Sequence, residues 1–246
     1  MRILLAALLL TLAAARAEAV ECRDITYQGN RYAICEVAPA EETLRLFRAA
    51  PDGTPYGHFS ILDEALRARG EALAFATNGG MYHENRSPVG HYIEDGAEQM
   101  RVIASDGPGN FGLLPNGVFC IGEGWAQVYE TGVYLSQNPA CRYATQSGPM
   151  LVIAGELHPD FLPDSTSRYI RNGVGASADG SRVVFAISNN TVTFHEFGSL
   201  FRDALNLPNA LFLDGNVSRL YAPGIGRDDL GFPMGPIVAV TVPRAN

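Results

Sequence analysis

The chain contains no lysine, and all 18 of its basic residues are arginine. Schiff-base catalysis and the phosphate-binding lysine of a P-loop are therefore excluded, and anion recognition falls to the planar guanidinium fork. Positive charge is also in deficit. With 26 acidic residues the formal net charge is −8, which argues against nucleic acid and anionic membrane surfaces as partners. Only five histidines occur, His58, His83, His91, His158 and His195, and none has metal-ligand spacing. His195-Glu196 opens like a zincin helix, but Ser199 stands where the second ligand belongs. No zinc site and no resident cofactor are expected, and an oxygen-ligated Ca²⁺ is the one metal left open. Beyond the N-terminus, no stretch approaches the ~20 apolar residues of a spanning helix, so stable membrane insertion is not expected.

What is present begins with a leader. After Met1-Arg2, residues 3–15 are apolar, followed by Ala15-Arg16-Ala17 and Ala17-Glu18-Ala19, both small-x-small cleavage patterns. This predicts a signal peptide over 1–19, one domain over 20–246, and export to the periplasm or medium of a bacterium. Arg2, Arg16 and Glu18 leave with the leader, which takes the net charge from −8 to −9. Four cysteines in an exported chain favour disulfides over metal ligation. The pairing expected is Cys22 with Cys35 and Cys120 with Cys141, because the first two flank the turn Tyr27-Gln28-Gly29-Asn30-Arg31 between alternating runs.

Residues 58–69 place Phe59, Leu62, Ala65 and Leu66 on one face and stop at Gly70, the pattern of an amphipathic helix with a glycine end. From 90 to 144, strand-like pieces alternate with Asp-Gly, Pro-Gly and Asn-Gly turns. Asp179-Gly180 divides two apolar runs as a hairpin. Thr193 with Glu196 forms a capping box ahead of Phe197, Leu200, Phe201, Ala204 and Leu205. The expected fold is α+β: a single domain with a mixed, largely antiparallel sheet and two main helices.

Two apolar strands end alike, 72–77 in Asn78-Gly79-Gly80 and 210–213 in Asp214-Gly215-Asn216. A carboxylate, amides and bare backbone at the end of a buried strand suit an active site, because glycine admits close approach of a ligand. Asp214 is a candidate base, nucleophile or ligand anchor; the plainer alternative is an Asx turn. Asn78, Gly79 and Gly80 could hold a sugar hydroxyl or a phosphoryl oxygen, or form a plain turn. Ser147 lacks a G-x-S-x-G elbow, so Ser147-Gly148 is read as hydrogen-bonding rather than nucleophilic. Arg171 offers a fork for phosphate, and His83 follows the first break closely enough to reach the same pocket.

Taken in order, Asn78-Gly79-Gly80-Met81-Tyr82-His83, Pro88-Val89-Gly90, Gly109-Asn110-Phe111, Pro115-Asn116-Gly117, Ser147-Gly148-Pro149, Arg171-Asn172-Gly173 and Leu213-Asp214-Gly215-Asn216-Val217-Ser218 resemble the phosphodiester glycosidase family. The resemblance implies that Asn78, Gly79, Gly80, Ser147, Gly148, Arg171, Asp214, Gly215 and Ser218 converge on one site that cleaves a sugar from a phosphodiester. Asn216-Val217 depart from it, standing where the family motif has two glycines. The expected function is hydrolysis of the glycosidic bond of a sugar phosphodiester, from a glycan or glycolipid of the cell envelope. Arg171 would bind the phosphoryl group, Asp214 would act at the anomeric side, and Asn78 and Asn216 would hold hydroxyls. The alternative is a non-catalytic periplasmic protein that binds a glycan or phosphosugar. A metal-dependent phosphoesterase is disfavoured for want of converging ligands.

Overall fold

Continuous apolar runs such as Val183–Ser188 can be buried on both faces only if layers cover each side of their sheet. The computed structural model, which describes residues 20–214 and 217–244, shows how this is done. The chain forms three sheets. The large sheet runs, from edge to edge, Glu21–Tyr27, Asn30–Val37, Val183–Ser188, Asn172–Ala176, Asn209–Asp214, Met150–Ile153 and Glu156–Leu157. A second sheet is ordered Arg227–Asp228, Leu220–Ala222, Glu71–Asn78, Ile237–Pro243 and Thr43–Phe47. The third is ordered Ala97–Met100, Tyr92–Glu94, Tyr143–Ser147, Gly117–Ile121 and Ala126–Glu130. Every pairing described among these strands is antiparallel, as the largely antiparallel expectation has it.

The inner faces of all three sheets share one core. Phe185 of the large sheet meets Phe75 of the second at 5.0 Å and Phe119 of the third at 5.8 Å between ring centroids. Each outer face then receives one helix. Phe59–Arg67 lays Phe59, Leu62 and Leu66 on the second sheet. Phe194–Ser199 covers the large sheet with Phe197, and Thr131–Gln137 covers the third with Tyr134. The result is an α+β domain in which each helix is amphipathic because one face is lost to a sheet and the other meets water.

Local chemistry explains the boundaries. The first helix stops before Gly70, whose φ of 75° is the left-handed geometry that suits a residue without Cβ. Thr193 and Glu196 form the full capping box. Beyond Ser199 the coil widens into a π turn, Leu200–Ala204, closed by Leu205 N–H donating to Leu200 O at 3.0 Å. The extra residue rotates Ala204 out to solvent, although its spacing predicts the buried face, and keeps Leu205 inside. Cys22 lies opposite Cys35 in the first hairpin and is bonded to it, and Cys120 is bonded to Cys141. The helix Thr131–Gln137 is not anticipated by its sequence. Its N-cap is Glu130, whose carboxylate takes the N–H groups of Gly132 and Val133, and Gly132 lowers its helix propensity. The expected leader lies outside the described residues.

Candidate active site

The strands that carry the two polar breaks belong to different sheets, and Asn172 joins them. Its Nδ2 donates to Asn78 Oδ1 at 2.8 Å, while its Oδ1 accepts Asp214 N–H at 3.0 Å. Asn78 Oδ1 also accepts Arg219 N–H at 2.8 Å, and Asn78 Nδ2 donates to Val217 O. The pairing of Asn172–Ala176 with Asn209–Asp214 shifts register between Asn172 and Gly173, so Asn172 falls opposite Asp214. A register shift of this kind re-aims a side chain at the end of a ladder.

The first break is closed. Asn78 is fully buried, and Gly79 N–H donates to Pro236 O at 2.7 Å. A Cβ on Gly79 would stand 2.9 Å from the Pro236 carbonyl carbon, and one on Gly80 would stand 2.6 Å from Thr145 Oγ1. The space beside both glycines is filled by protein and Gly79 N–H is bonded, which is where the structure departs from the reading of bare backbone. Ser147 is buried and its hydroxyl donates to Leu213 O at 2.8 Å. Gly148 packs against Asn116 Cβ and the carbonyl oxygens of Phe111 and Asn110. Ser218 Oγ donates to Asp214 O at 3.1 Å, and Gly215 and Asn216 lie outside the described residues.

The second break opens on a cleft of about 880 Å³ whose walls include Asp214, Arg171 and His83. Arg171 is 2% exposed. Its Nε donates to Val192 O at 3.0 Å and its Nη2 to Ser167 O at 3.1 Å, and the guanidinium carbon sits 3.6 Å from the Phe194 ring centroid. Burial pushes its pKa down to about 10, so it remains a cation at neutral pH. Asp214, 7% exposed, ends its strand at the cleft wall. The phenol of Tyr82 is pushed upward in pKa by burial and next by the charge of Asp214, which puts the two groups within electrostatic reach.

Sequence reasoning passes over several wall residues. Tyr82 donates to Pro233 O at 3.2 Å, and Arg86, held at φ 68°, stacks its guanidinium 5.3 Å from the Tyr82 ring. A positive φ at a residue that carries a Cβ is strain that a functional loop tolerates. Phe232 and Val217 also line the cleft. The signal for Arg86 is weak: it sits in Asn85-Arg86-Ser87-Pro88, a turn in which Asn85 Oδ1 accepts both Ser87 N–H and Ser87 Oγ–H. Among the described residues, no three His, Cys, Asp or Glu side chains converge as metal ligands.

Residues 71–229, which contain both breaks, Arg171 and all of the cleft wall except Phe232 and Pro233, match the family model described as phosphodiester glycosidase. The chain belongs to the phosphodiester glycosidase family. It is 32% identical over 223 residues to uncharacterized protein YigE of Escherichia coli K12, covering 91% of this chain and 85% of that one. Among solved structures it is similar to the zebrafish N-acetylglucosamine-1-phosphodiester α-N-acetylglucosaminidase catalytic domain auto-inhibited by its pro-peptide. That likeness has a TM-score of 0.60 at 16% identity over 92% of this chain and 82% of the other. A hypothetical protein from Synechocystis (TM-score 0.57, 14% identity, 91% and 62% covered) shares the fold. So does a putative exported protein of Burkholderia pseudomallei K96243 (0.53, 11%, 86% and 74%). At these identities the structural neighbours establish the architecture that carries the cleft.

Proposed function

We propose that this phosphodiester glycosidase family member hydrolyses the bond between a sugar and the phosphoryl oxygen of a phosphodiester. The observation that carries the reading is the presence of the buried Arg171 cation and the Asp214 carboxylate on the walls of one cleft. Arg171 is held by two carbonyl oxygens and an aromatic face, so its charge is oriented before any ligand arrives, which is the condition for stabilising charge as it develops. In the reaction the anomeric carbon gains a bond to water oxygen, or first to Asp214. The carbon–oxygen bond to phosphate breaks, and its electron pair leaves on the phosphomonoester. On the direct route Asp214 takes the water proton; on the two-step route the water that releases the sugar from Asp214 gives its proton to the phosphomonoester, and the carboxylate is restored. A phosphodiester needs little protonation to leave, so a single carboxylate suffices where glycosidases of ordinary sugars use two.

Asn78 serves this site from below. Through Asn172 it fixes the main chain of Asp214, and it also holds Val217 O and Arg219 N–H. Ser147 and Ser218 brace the same strand end. Gly79 leaves room for the Pro236–Ile237 main chain and Gly80 for Thr145 of the third sheet, and His83 lies on the cleft wall where it can meet substrate. Two disulfides and the likeness to a putative exported protein support work outside the cytoplasm, in the periplasm or medium.

The test is a panel of sugar-1-phosphodiesters followed by mass spectrometry, with and without chelator. Wild type should release free sugar and a phosphomonoester. Asp214→Asn and Arg171→Ala should each abolish most turnover, and retention of wild-type rates by both overturns the assignment. A second reading, a non-catalytic glycan or phosphosugar binder, is favoured by Val217, a branched side chain on the cleft wall where the family motif has glycine. Saturable binding without released sugar on long incubation would select it.

A further inference from the structure

Leu230 and Phe232 are 88% and 78% exposed, the two most solvent-accessible large apolar side chains among the described residues. A soluble surface tolerates scattered apolar residues, but a pair on one short loop at the mouth of a cleft is informative. This loop is not loose. Arg219, 4% exposed, reaches under it: Nε and Nη2 donate to Asp229 O at 2.8 and 2.6 Å, and Nη1 donates to Phe232 O at 3.1 Å. The ends are pinned as well, by Asp229 N–H to Leu220 O at 3.0 Å and by Met234 N–H to Gly57 O at 2.8 Å. A buried cation that spends three donors on the carbonyls of one loop holds its apolar side chains out in water, where they gain nothing in the unliganded protein.

Phe232 and Pro233 belong to the wall of the same cleft as Arg171 and Asp214. One continuous surface therefore runs from a fixed cation, past the carboxylate, to an apolar rim. A polar glycan on the far side of the phosphate would find no hydrogen-bond partners in the side chains of Leu230 and Phe232, whereas a hydrocarbon would cover them. Resting on the glycosidase reading above, we infer that the substrate is an amphiphile: its sugar phosphate enters the cleft, and a long apolar chain on the other phosphate oxygen leaves over Phe232 and Leu230. The occupant of the rim is the chain of the substrate itself. Two side chains are enough to grip such a chain and too few to anchor the protein in a bilayer.

The experiment compares two phosphodiesters of one sugar, with methyl and with decyl as the second ester group, the latter kept below its micellar concentration. Wild type should show kcat/KM at least tenfold higher for the decyl diester, as expected when several methylenes leave water. Leu230→Ser should cut that preference several-fold with the methyl diester rate unchanged, and Phe232→Ser should cut it further. Equal kcat/KM for the two diesters in wild type, or equal losses on both in Leu230→Ser, overturns the inference while leaving the glycosidase reading in place. If neither diester is hydrolysed, calorimetry with methyl phosphate and decyl phosphate decides separately. Tighter decyl phosphate binding that Leu230→Ser removes upholds the apolar rim without turnover, and equal binding refutes it. Leu230-dependent binding to phosphatidylcholine vesicles with no chain preference would reassign the loop to a bilayer surface and also refute it.

Discussion

The two strand ends, Asn78-Gly79-Gly80 and Asp214-Gly215-Asn216, read alike in the sequence and differ in what surrounds them. The first is sealed. Asn78 is fully buried, and the space a Cβ would need at Gly79 is taken by the Pro236–Ile237 main chain. The second faces the cleft, with Asp214 on its wall. Polar residues and glycines at the end of a buried strand thus report that something comes close; whether that is protein or ligand depends on which sheet arrives on the other side. Here the second sheet's own strand Ile237–Pro243 closes the first break.

That contrast can be broken by substitution. The largest effect should come from Asp214→Asn, with turnover of a sugar-1-phosphodiester falling by about 10³-fold. Asn78→Ala should act on stability. It strands Asn172 Nδ2, Arg219 N–H and Val217 O, and should lower unfolding free energy by about 3 kcal/mol in urea titration. An Asn78→Ala protein of wild-type stability would show that the first break is not sealed. Gly79→Ala should cost about 2 kcal/mol, because main-chain atoms of Pro236 and Ile237 cannot swing aside as a side chain could.

The smallest effect lies away from both breaks and sharpens the reading of any pH profile. Burial pushes the Glu42 carboxyl up to about 7 from an ordinary 4.5, against the opposing hydrogen bond from Ala38 N–H. A raised folded value means that the native state holds the proton more tightly. The stability from Glu42 is therefore complete below pH 4.5 and is lost as pH rises through about 7. Glu42→Gln should flatten the urea midpoint between those limits, so that any pH dependence left in activity belongs to the cleft.

Local features were legible in the sequence where they depend on near neighbours. The Cys22–Cys35 hairpin, the turn at Asp179-Gly180, the capping box and both long helices follow from spacing and turn chemistry. Asp214 was legible as a carboxylate ending a buried strand and Arg171 as a fork for phosphate, and they do share a cleft. What could not be read is long-range. The division into three sheets depends on pairings between strands as distant as Leu44 and Val240. The Asn172 link appears only when two sheets meet, and the apolar rim looks in sequence like an ordinary core fragment, Leu230-Gly231-Phe232. Thr131–Gln137 hid because its cap is a glutamate and its second residue a glycine.

The large sheet also limits its own growth. One border strand, Glu156–Leu157, is only two residues long, and the other, Glu21–Tyr27, carries Glu21, Arg23 and Asp24 and is covalently stapled to its neighbour at Cys22. Neither border offers a long flat uncharged template to a second molecule. The large sheet thus gives a second copy of the chain little to pair with, and reduction of that staple is the step that would free its longer border.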